Sequence, residues 1–99
     1  MIRGPDVTTL LGRRLRIAAE AAGIEIAVLR SDATPWASAT FSGARHFLTL
    51  VSDDTGFEGW LAMLPEADLP MRGHLVADVV VTARNGREAD VNVLTVEER

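Results

Sequence analysis

"WASATFSGARHFLTL", Trp36 to Leu50, holds the choice of fold. Small and polar residues alternate along it, Ser42-Gly43 offers a pivot, and Arg45 and His46 follow side by side. Gly43-Ala44 suits a two-residue type II′ loop, because glycine takes the first central position. Two strands then leave the turn. Ser42 falls opposite Arg45, Phe41 opposite His46, Ala39 opposite Leu48, and Ala37 opposite Leu50. Successive side chains point to opposite faces, so the last six of these share one face. It is apolar apart from His46 and is the expected core side. The other face sets Trp36, Ser38 and Thr40 against Val51, Thr49 and Phe47. It carries two large aromatics and no charge.

Upstream, Asp6 is a good N-cap and Gly23 a good C-terminal stop for a helix over residues 7–22. Leu11, Leu15, Ala18 and Ala22 recur along it at helical spacing. Arg13, Arg14 and Arg16 lie mostly off that stripe, as an anion or partner patch or as a solvated face with an Arg16–Glu20 pair. "IEIAVLR", Ile24 to Arg30, reads as a strand by its β-branched content. "SDATP", Ser31 to Pro35, breaks it.

Downstream, Phe57, Trp60, Leu61 and Leu64 sit at i, i+3, i+4 and i+7, which predicts a second amphipathic helix. Thr55 and Glu58 have the spacing of a capping box. Asp53 and Asp54 sit where a helix N-terminus favours negative charge, which explains them without a metal. "PEADLPMRG" connects to a hairpin, in which "HLVADVVVTAR" and "READVNVLTVEE" flank Asn85-Gly86. A two-residue turn there pairs Val80 with Val91 and sets Asp78 against Val93, among Val76, Val80 and Val91.

The expected fold is therefore α+β, in the order α-β-β-β-α-β-β. One mainly antiparallel sheet of about five strands carries both helices on one face, as a single domain over residues 1–99. The order is similar to that of bacterial secretion chaperones, a likeness of topology that covers no motif.

Composition narrows function. The chain has 99 residues, no cysteine and a net charge of −4. Disulfides, thiolate metal sites and cysteine nucleophiles are excluded, and a reducing compartment fits. There is no lysine or tyrosine, so Schiff-base chemistry and a tyrosine acid are excluded too. Residues 1–50 hold six arginines against four acids, or +2; residues 51–99 hold four against ten, or −6. That field repels phosphate, so no nucleic-acid partner is expected. No run approaches a membrane span, and "MIRGPDVTTLLGRRLR" lacks the apolar core of a signal peptide, so the cytoplasm is the expected setting.

Two functions remain. The first is a non-enzymatic interaction or adaptor protein, homodimeric through a sheet face or edge. Its interface residues are Trp36, Ser38, Thr40, Phe47, Thr49 and Val51, because Trp and Phe anchor interfaces and an uncharged sheet face needs a cover. The second is a small-ligand or enzymatic site around Arg45, His46 and Asp78. A carboxylate on an apolar face would be raised in pKa unless paired, one mark of a functional site. The turn sends Arg45 and His46 to opposite faces. His46 and His74 lack metal-like spacing. No catalytic triad, cofactor or metal site is expected.

Overall fold

The structure, a computed structural model, describes residues 6–98, so the first five residues of "MIRGPDVTTLLGRRLR" and both ends of the single domain expected over residues 1–99 lie outside it. The elements are α1 (Val7–Ala21), β1 (Ala27–Ala37), β2 (Ser42–Val51), α2 (Phe57–Met63), β3 (His74–Asn85) and β4 (Glu88–Glu97), with a 3-10 turn over Leu64–Glu66. The order is thus α-β-β-α-β-β, and the four strands form one antiparallel sheet in the order β1-β2-β4-β3. The connection through α2 skips a place in the sheet, which β4 then fills.

One strand fewer than expected follows from a misplaced turn. "SDATP" does not break the chain; it lies inside β1. β1 is an edge strand, paired on one side only, so it tolerates a proline that cannot donate to a ladder. The hairpin turns instead at residues 38–41. The Ser38 amide donates to the Phe41 carbonyl at 2.7 Å, and the Phe41 amide donates to Ser38 Oγ at 3.1 Å. A serine hydroxyl closing its own turn is a known turn device.

Gly43 is the second residue of β2, paired on both sides, opposite Trp36 on one and Val96 on the other. A Cβ there would stand 1.9 Å from the Thr95 carbonyl oxygen and 3.0 Å from Trp36 Nε1. Its glycine serves close approach, not a turn. With this correction the likeness in order to secretion chaperones lapses.

Trp36 was expected opposite Val51 and lies opposite Gly43, a displacement of eight residues. Because eight is even, the face of each side chain survives the error. His46, Leu48 and Leu50 are buried on the inner face as expected. Phe41, Ala39 and Ala37 are not; the first two belong to the exposed tip and Ala37 to the exposed end of β1.

α1 forms as its caps predict. Asp6 accepts from the Thr9 amide at 2.8 Å. At the other end Gly23 takes φ 78°, its amide donates to Glu20, and the Ile24 amide donates to Ala19. This is a Schellman closure, and it turns Ile24 into the core. The capping box at α2 does not form: its N-cap is Gly56, with no side-chain cap. Glu58 instead accepts from Arg84 at 2.9 Å, while Asp54 accepts from the Glu25 amide. Leu11, Leu15 and Ala19 of α1 and Phe57, Trp60 and Leu61 of α2 share one apolar cluster with Leu48, Leu50, Val79, Val91 and Val93. Both helices therefore cover the same sheet face.

Candidate functional site

The face away from the helices is open. Register sets its rows. Trp36, Gly43, Val96 and Leu75 form one row, followed by Thr34, Arg45, Leu94 and Asp78. Next come Asp32, Phe47, Asn92 and Val80, and then Arg30, Thr49 and Asp90. Phe47 is 44 % exposed, Val80 44 % and Leu75 57 %. A shallow groove of about 660 Å³ crosses the face between Phe47, Thr49, Asp90 and Asn92. Within it Thr49 Oγ1 donates to Asp90 at 2.7 Å.

Of the six residues expected on an interface, Trp36, Phe47, Thr49 and Val51 lie on this face. Ser38 and Thr40 lie in the tip of the hairpin instead. Trp36 leans over Gly43, and its indole N–H is buried with no acceptor among the described residues. Sequence reasoning missed Leu75, Val80 and Leu94. Two irregularities in β3, between Val76 and Asp78 and between Val81 and Ala83, shift its alternation. A bulge inserts one unpaired residue, and everything beyond it changes face. No period-2 pattern survives that.

The irregularity between Val81 and Ala83 corrects Asp78. It lies opposite Leu94, not Val93, and is exposed on the open face rather than set among Val76 and Val91. Arg45 shares its row, with Leu94 between them. His46 lies on the covered side and is fully buried. The sheet thus brings Arg45 and Asp78 to one face and His46 to the other.

His46 is held from both ends. Its Nε2 lies 3.0 Å from Thr95 Oγ1, and its Nδ1 lies 3.4 Å from Thr8 Oγ1. The Thr95 hydroxyl donates to the Ala44 carbonyl, so it accepts from Nε2–H. Nδ1 then carries the lone pair and accepts from Thr8. This assigns the neutral Nε2–H tautomer from the network. Burial pushes the His46 pKa below its usual 6.5, and repulsion from His74 adds to that; Asp6 opposes both.

The sign for stability follows. Below pH 6.5 the unfolded chain takes up a proton that the native imidazole refuses, so stability falls with pH until the lower, native pKa is passed. Denaturant midpoints measured from pH 7.5 to 5 are expected to drop. His46→Gln is expected to flatten that slope. A slope equally steep in the variant assigns it to other groups.

Among the described residues no group of three or more His, Cys, Asp or Glu could hold a metal, and no helix is long and apolar enough to cross a membrane. Comparison with protein families, curated proteins and solved structures gives no match.

Proposed function

We propose that this chain is a non-enzymatic interaction domain, at work in the cytoplasm, that docks a protein on its open sheet face. The observation that carries this is exposed Phe47, Leu75 and Val80, set around Leu94 on the face that α1 and α2 leave open. Exposed apolar surface of this kind, interspersed with charge, marks interaction sites. The edges support the choice of face. β1 bears Pro35 and an irregularity between Val28 and Arg30, and β3 bears two. Bulged, proline-bearing edges resist strand addition.

A photo-crosslinking amino acid at Phe47, tested in cells against one at Met63 on the helix side, checks this. Met63 is also exposed, and lies off the sheet. Adducts at 47 and not at 63 are expected. No adduct at 47, or equal yields at both, refutes the reading.

A further inference from the structure

The open face is electrically divided. Its β4–β3 half carries Asp78, Glu88 and Asp90. Its β1–β2 half carries Arg30 and Arg45, with Asp32 at the outer edge. Arg30 reaches Glu88 of its own sheet at 3.9 Å. Arg45 and Asp78 form no ion pair among the described residues. They are two strands apart, about 10 Å, with Leu94 between them.

We infer that the occupant of the open face is a second copy of this chain, packed face to face about a two-fold axis that runs along the strands between β2 and β4. This rests on the reading of that face as a docking surface and names its partner. The axis follows from the charges. Rotation about the strand direction lays the β1–β2 half of one copy over the β3–β4 half of the other and keeps each row on itself. Arg45 then lies one strand from the partner's Asp78, and Arg30 one strand from the partner's Asp90. A two-fold axis across the strands would lay each half on its own kind, arginines over arginines and carboxylates over carboxylates. Opposite potentials fix register, and like charges facing each other are costly.

The apolar rows agree. In the first row Trp36, whose indole leans over Gly43, meets the partner's Leu75 and Val96. Phe47 flanks the axis, beside the partner's Phe47. Aligned sheets cross at about 30°, so the row of Phe47, near the centre, stays closest in step. Four strands by about eight residues give a face of roughly 20 by 25 Å. Two such faces cover about 1,000 Å² in projection, and more in accessible area, which is the size a specific interface needs.

Sedimentation equilibrium on the full chain tests this. Wild type is expected to be a dimer. Arg45→Asp and Asp78→Arg each turn two attractions into two repulsions, and each alone is expected to weaken the dimer by about tenfold. An equimolar mixture of the two variants is expected to recover wild-type affinity, because every contact in the mixed pair is again opposite in sign. The double variant is expected to recover it too. A second measurement needs no charge variant. The chain has no cysteine. Phe47→Cys is expected to join two copies through a short bis-maleimide, and Met63→Cys is not.

Single reversals that leave the dimer unchanged, or a dimer tightened by Arg45→Asp, overturn the arrangement. A wild type that stays monomeric overturns self-pairing. In that case adducts at Phe47 to a different protein still support docking on this face, and no adducts there refute both.

Discussion

Gly43→Ala is expected to unfold much of the population, at a cost of about 3 kcal/mol. The added Cβ meets the Thr95 carbonyl oxygen at 1.9 Å and its carbon at 2.9 Å. These are backbone atoms of β4, the strand that pairs with β2 along nine rows from Gly43–Val96 to Val51–Glu88. Neither can turn aside as a flexible side chain would. Relief requires spreading the two central strands, β2 and β4, at the end of their ladder, and Trp36 Nε1 at 3.0 Å blocks the other direction. Gly23→Ala is the control. Gly23 has open space around it, so its cost is the strain of φ 78° alone, about 1 kcal/mol. Urea denaturation of both variants decides. A turn glycine at 43 would show the smaller loss of the two, and the ranking would reverse.

Leu50→Ala should cost about 3 kcal/mol, whereas Phe47→Ala at high dilution should cost well under 1 kcal/mol. Both residues lie on β2 and differ in face. Leu50 is fully buried in the cluster that joins both helices to the sheet. Removing its branched end leaves a cavity that a close-packed interior fills only in part. Phe47 is the larger side chain, yet it is already partly in water. The contrast is informative in its dependence on concentration. At concentrations where the chain pairs, Phe47→Ala should lose stability relative to wild type, because wild type then gains from association. The Leu50→Ala deficit should hold at every concentration. If Phe47→Ala is as costly as Leu50→Ala in dilute solution, the open face is covered within one chain.

Local chemistry explains which parts of the fold were legible. α1 announced itself, because Asp6 and Gly23 cap it through contacts made within a few residues. The second hairpin was legible for the same reason, although Gly86-Arg87 forms its loop, with Asn85 opposite Glu88. Within that loop Gly86, not Arg87, takes a positive φ, 61°. The turn was thus located to within one residue. The Ser38–Phe41 turn was hidden, because serine and alanine carry weak turn signals and Gly43 nearby carries a strong one.

The candidate site was legible in its faces and illegible in its membership. Trp36, Phe47, Thr49 and Val51 lie together on the open face because strand alternation survives an even shift in register. Asp78 changed sides because one extra residue near Thr82, between it and the turn, reverses parity, and no local pattern marks such an insertion. His46 was placed on the apolar side correctly. Its partners were beyond reach of the sequence, since Thr8 and Thr95 stand 38 and 49 residues away along the chain.

The sequence by itself determined the class of the fold, both helices, the second hairpin, and the face of each β2 side chain. These rest on spacing and caps, which act over a few residues. Tertiary structure alone decided that four strands form the sheet, that β4 sits between β2 and β3, and that Gly43 is a point of close approach. It alone put Arg45 and Asp78 in one row. Each of these depends on which backbone lies beside which, and a glycine that opens a turn reads the same as one that admits a neighbouring carbonyl.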